Sequence, residues 1–140
     1  MNVEDFFSFF KDKNRDLTVT TDFSSGISPV NDYYFLCRIA RAIGIKKYFE
    51  IGTWLGLSAK NIADTMGDET IIYSLDIPFD HPEIALFNIP VDVFGHYCKS
   101  YKNISLLKSD SKHFDFSPYR NSFELVFVDG NHSPDYVEND

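Results

Sequence analysis

The chain has 140 residues, 44% hydrophobic and 16% aromatic, which suits one domain with a buried core and excludes global disorder. Its 13 basic and 21 acidic residues leave a formal net charge of -8, which argues against a nucleic-acid backbone or an anionic membrane as the main partner. No apolar run reaches the roughly 20 residues that span a membrane, the amino terminus lacks a secretory pattern, and Cys37 and Cys98 show neither CxxC nor zinc spacing, so the expectation is a soluble, cytoplasmic protein with two buried thiols.

In chain order, Asn2 to Lys13 places Phe6, Phe7, Phe9 and Phe10 at helical spacing, which predicts a helix with one strongly apolar side. Asn14 to Ser28 is polar and β-branched, with Ser24-Ser25-Gly26 as a loop signal. Residues 1–27 are therefore expected to be a helix and a connection, ahead of a main domain over 28–140. Ser28 and Pro29 offer an N-cap and a first-turn proline, and Gly44 a stop, bracketing a helix over Val30 to Ile43. Its residues Tyr34, Phe35, Leu36, Ile39, Ala40 and Ile43 fall broadly on one side, as core packing requires.

Lys47 to Gly56 then reads as a short apolar strand entering a glycine turn, followed by a helix over Ser58 to Met66. Gly52 and Gly56 let the backbone bend sharply and approach a ligand, and Glu50 at the strand's carboxyl end is expected to project into the crevice where open α/β sheets bind ligands. The spacing excludes two phosphate motifs. No lysine follows Gly56 as a P-loop needs, and Gly52-Thr53-Trp54-Leu55 breaks the Gly-x-Gly-x-x-Gly pattern of a dinucleotide fold, which counts against an NAD-type oxidoreductase.

Gly67 closes that helix, and Thr70 to Leu75 reads as a second strand ending at Asp76. A carboxylate there either accepts ribose hydroxyls or caps the following turn. Ile77 to Tyr101 is long and broken by Pro78, Pro82 and Pro90, with Val91 to Tyr101 as its helical candidate; it either lines a substrate pocket or is a surface excursion. Asn103 to Lys108 is a third strand, after which Asp110 either meets an adenine amino group or caps a short Lys112 to Phe116 segment. Phe123 to Val128 is a fourth, apolar on both faces from Leu125 onward as a covered central strand would be, and Ser133-Pro134 opens a last helix.

The series Glu50-Ile51-Gly52-Thr53-Trp54-Leu55-Gly56, Ser74-Leu75-Asp76, Lys108-Ser109-Asp110-Ser111 and Phe127-Val128-Asp129-Gly130-Asn131-His132-Ser133 resembles class I S-adenosylmethionine-dependent methyltransferases. More narrowly it is similar to the methyltransferase-24 group and the catechol-type O-methyltransferases. The resemblance implies a Rossmann-like three-layer α/β/α fold with a parallel sheet. It implies that Glu50, Gly52 and Gly56, with Thr53, Trp54 and Ser58 in the same loop, hold the methionine part of S-adenosylmethionine. Asp76 would take the ribose hydroxyls, and Asp110 with Ser111 the adenine.

Asp129 would lie near the sulfonium and the acceptor, and in metal-dependent relatives an aspartate there helps bind a divalent cation such as Mg2+. His132 is the alternative general base. The function implied is O-methylation of a small-molecule or sugar hydroxyl; the alternative is an inactive S-adenosylmethionine-binding domain acting through dimerisation. Trp54 stands where many methyltransferases have glycine, so it must point away from the ligand or wall its pocket. The chain supplies only the first four strands of the family's seven-stranded sheet. The expectation is therefore a truncated domain, or a homodimer whose partner covers the exposed fourth strand.

Overall fold

The computed structural model describes residues 16–22, 30–85 and 89–140. The helix expected over Asn2 to Lys13 and the Ser28-Pro29 cap lie outside the described residues. Among the described residues four helices follow in chain order: α1 (Val30–Ile43), α2 (Leu57–Met66), α3 (Pro82–Ala85) and α4 (Pro134–Asn139). Four strands alternate with them: β1 (Lys47–Ile51), β2 (Ile71–Asp76), β3 (Ile104–Lys108) and β4 (Leu125–Val128). The expected strands fall in place, with ends moved by one or two residues. Among the described residues no helix is long and apolar enough to cross a membrane.

The strands form one parallel sheet in the order β3-β2-β1-β4. Register is set from the middle: Phe49 of β1 lies beside Tyr73 on one flank and Val126 on the other, and Ile51 beside Leu75 and Val128. Parallel strands need both faces covered, and β1 has every residue after Lys47 buried. On one face, Leu36, Cys37 and Ala40 of α1 and Ala59, Ile62 and Ala63 of α2 pack over Tyr48 and Ile72.

The opposite face is covered differently. Phe49, Ile51 and Leu75 meet Phe114, Phe116, Tyr119 and Phe123, which come from the β3–β4 connection and its two 3-10 turns. The Phe49 ring lies 5.2 Å from that of Phe123 and 5.5 Å from that of Tyr119. An aromatic sheath therefore does on this face what helices do on the other.

Two expectations are corrected. Val91 to Tyr101 is not a helix; it is a 3-10 turn over Val91–Val93 followed by hydrogen-bonded turns. Gly95 there has φ 61, and its N–H donates to Trp54 O at 2.9 Å while Tyr97 N–H donates to Leu55 O at 2.9 Å. Those N–H groups brace the glycine turn after β1 instead of closing helical turns of their own. The second correction is β4, whose apolar run suggested a strand covered on both faces. It lies at the sheet's edge, as the missing further strands led one to expect, but only one face is covered: Leu125 and Phe127 turn inward, while Val126 is 54% and Val128 47% exposed among the described residues.

Candidate functional site

Parallel strands deliver all their carboxyl ends to one rim, and the turn after β1 begins the site there. Gly52 has φ 107, and a Cβ on it would collide with the backbone carbonyl of Asp129 at the end of β4. Gly56, at φ 81, starts α2 against the Cys98 side chain, and its N–H closes a tight turn to Thr53 O at 2.7 Å. Only glycine meets both demands, a left-handed backbone and a neighbour where a side chain would sit. Trp54 takes φ 46 within this turn, a conformation costly for a bulky residue.

That strained turn aims a backbone N–H at Asp76. Trp54 N–H donates to Asp76 Oδ2 at 2.7 Å and Ile77 N–H to Oδ1 at 2.8 Å. Burial pushes the Asp76 carboxyl above its ordinary value, and these backbone donors oppose the rise by stabilising the anion. The carboxylate is held at the rim with a fixed orientation.

A cavity of about 420 Å³ opens there, lined by Gly52, Thr53, Trp54, Gly56 and Ser58 of the turn, by Asp76 after β2, by Asp110 and Ser111 after β3, and by Asp129 and His132 after β4. Every expected site residue except Glu50 therefore reaches one pocket. Trp54 stands as its wall: the indole is 42% exposed and its ring is 5.2 Å from that of Phe79.

Glu50 departs from the expectation that its carboxylate projects into the crevice. It is fully buried beneath the turn and does not line the cavity. Tyr48 Oη donates to its Oε2 at 2.9 Å and Ser74 Oγ to its Oε1 at 2.6 Å, and the Ser58 hydroxyl also bonds to it. Thr53 joins through Ser74, its Oγ1 2.6 Å from Ser74 Oγ. Burial pushes the Glu50 carboxyl up to about 7 despite the Ser74, Ser58 and Tyr48 hydroxyls, which favour the anion. The residue ties the turn, β2 and α2 together from below.

Asp110 takes the capping role that its position also allowed, accepting from Lys112 N–H at 3.0 Å, and His113 Nδ1 is 2.9 Å from its other oxygen. Burial works against the anion, yet Lys112, His113 and the Tyr136 hydroxyl together hold the Asp110 carboxyl below its usual value. Asp129 Oδ1 and His132 Nε2 are 3.8 Å apart and largely open to solvent. No three His, Cys, Asp or Glu side chains cluster as metal ligands among the described residues, so the donor set for a divalent cation at Asp129 is not assembled by them.

Asp32 and Tyr33 of α1 and Tyr136 of α4 also line the cavity, and nothing in the motifs pointed to them. A usable signal existed for the first two. A helix that feeds a strand's start runs back along the sheet, so its own first turn lies over the strands' carboxyl ends. Burial, then the charges of Asp129, Glu50 and Asp32, push the Tyr33 phenol upward.

No protein-family model matches this sequence, and no curated protein matches it. Solved structures do. A methyltransferase from Podospora anserina bound to SAH aligns with TM-score 0.56 and 18% identity over 99% of this chain and 64% of its own. An O-methyltransferase from Bacillus cereus in complex with SAH gives 0.52 and 20% over 97% and 58%. The O-methyltransferase TomG from Streptomyces achromogenes, in complex with SAM, gives 0.51 and 19% over 99% and 60%. At such identities the likeness concerns architecture: this chain has the Rossmann-like α/β fold of these solved methyltransferases, over 58 to 64% of their length.

Proposed function

We propose that the chain binds S-adenosylmethionine and serves methyl transfer to a hydroxyl of a small molecule or sugar. The observation that carries this reading is the Asp76 carboxylate, held by the Trp54 and Ile77 N–H groups at the rim of the cavity. A carboxylate has about four acceptor sites, and with backbone donors from Trp54, Ile77 and Thr53 one remains to accept from a ribose hydroxyl. When bound, the cofactor supplies an activated methyl group. The residues present fit it, because a closely approaching backbone turn, a ribose acceptor and the Asp110–Ser111 pair all line one cavity.

The chain's part in the chemistry is alignment and proton handling. Asp129, Tyr33 and His132 line the cavity near the end of β4, and each has a polar atom suited to orienting an acceptor hydroxyl. His132 is the candidate general base among them, its imidazole lying in the same cavity lining. A divalent cation is left out of this scheme.

Calorimetric titration with S-adenosylhomocysteine tests the binding step. The wild-type chain should bind, and Asp76→Ala should weaken binding by about tenfold or more, since it removes a charge-assisted acceptor for a ribose hydroxyl. Undiminished binding by the variant would sink the assignment. A methyl-transfer assay on hydroxyl acceptors then separates turnover from a second reading, cofactor binding without catalysis. That second reading draws on the open β4 edge among the described residues, a surface for association.

A further inference from the structure

Residues 16–22 form an extended strap that reaches the glycine turn from outside the cavity. Leu17 and Val19 alternate inward onto the core cluster of Leu36 and Ile62, and Thr20 lies against α2. The Asn61 side chain of α2, only 1% exposed, accepts from Thr20 N–H at 2.6 Å and donates to Thr20 C=O at 2.8 Å. One side-chain amide thus pairs both backbone groups of one residue, as a neighbouring strand would. Lys60 Nζ adds a bond to Thr20 Oγ1 at 3.1 Å. A buried amide without partners is costly, so α2 carries a side chain that requires the strap.

Two residues further on, the strap grips a second element. The Tyr97 hydroxyl donates to the Asp22 carboxylate, and that bond pushes the Tyr97 phenol above its ordinary value, so it keeps its proton and stays a donor. Tyr97 belongs to the turns that brace the glycine turn from behind. Its N–H donates to Leu55 O and the Gly95 N–H to Trp54 O, while the Cys98 side chain stands where a Gly56 side chain would be. Trp54 keeps its costly φ of 46 only while its neighbours over-determine it. Its N–H in turn orients Asp76. The strap therefore holds α2, which begins at Gly56, and also the segment that fixes the Trp54 and Leu55 carbonyls. None of these strap residues lines the cavity.

We propose that the 16–22 strap governs the cofactor turn: tied to Tyr97 through Asp22 and to α2 through Asn61, it keeps Trp54 in its strained conformation and the Asp76 carboxylate in its orientation. Asp22 and Tyr97 are positioning residues in this device and touch no ligand. When their bond is lost the brace loosens, Trp54 relaxes toward an ordinary backbone, and its N–H leaves Asp76. The inference rests on the cofactor reading above and goes beyond it, by coupling ligand affinity to a segment outside the cavity. Such coupling is reciprocal, so a bound ligand must tighten the strap in return.

Calorimetry with S-adenosylhomocysteine and amide hydrogen exchange, both on the full chain, provide the test. Tyr97→Phe removes only a hydroxyl and should weaken binding about fivefold, at the lower end of the usual range for coupled sites. Asp22→Ala should do the same, and the double variant should lose no more than about twofold beyond either single change, because both break one bond. S-adenosylhomocysteine should slow exchange of the Thr20 amide in the wild-type chain, and at equal saturation that slowing should be lost in Tyr97→Phe. Unchanged affinity in Tyr97→Phe, losses that add in full, or a Thr20 amide indifferent to the ligand would each overturn the inference while the cofactor reading stands. A wild-type chain that binds no S-adenosylhomocysteine would overturn the cofactor reading itself, and this inference with it.

Discussion

Glu50 concentrates the site's electrostatics in one side chain. Its carboxyl is fully buried and raised from an ordinary 4.5 to about 7, so the folded chain holds this proton more tightly than the unfolded chain does. The stability it contributes is complete below pH 4.5 and is lost as the pH rises through about 7. At about 1.4 kcal/mol for each tenfold change in proton affinity, the loss is on the order of 3.5 kcal/mol. Glu50→Gln keeps the shape and stays neutral. Thermal melts between pH 5 and pH 8 should show a smaller fall in Tm for the variant than for wild type, with the variant the more stable at pH 8. Parallel curves would show that Glu50 does not carry this proton.

The element that matters most is the β1–α2 turn, because three separate parts of the chain close on it. The end of β4 lies where a Gly52 side chain would be, the Gly95–Cys98 turns accept the Gly56 approach and donate to its carbonyls, and Asp76 accepts from Trp54. Gly52→Ala would add backbone strain of about 1–3 kcal/mol to a collision with a carbonyl that belongs to a strand and cannot swing aside. Urea denaturation should show a loss of at least about 3 kcal/mol, or no folded protein. The aromatic sheath is the other element open to test. Phe49→Ala empties the ring that Phe116, Tyr119 and Phe123 all contact, and should cost about 3–5 kcal/mol in the same measurement. A loss under about 1 kcal/mol would mean that the sheath is not what covers this face.

At the scale of the whole molecule, the sheet is asymmetric. Its central strands are sealed by helices on one face and rings on the other, while β4 presents Val126 and Val128 and a free edge among the described residues. Exposed, apolar edge strands pair with other chains, and a lysine on them opposes it. Light scattering on the 140-residue chain should show mass rising with concentration, and Val126→Lys should return it toward a monomer. A wild-type chain that stays monomeric at high concentration would remove the case for a second copy on this edge.

Sequence alone determined the four strands, the glycine turn and the carboxylates at the strand ends. Each is written locally: apolar runs of strand length, glycines where the backbone must turn left-handed, and acids directly after a strand. It did not reveal that Glu50 lies under the turn instead of in the pocket, that Val91 to Tyr101 lends its N–H groups to that turn, or that Tyr33 and Tyr136 line the cavity. Nor did the apolar run of β4 show that only its Leu125 and Phe127 face would be covered. Those outcomes depend on which distant segments meet once the sheet is assembled, and residues such as Tyr48, Ser58 and Ser74 become partners of one carboxylate only when three different elements are packed together.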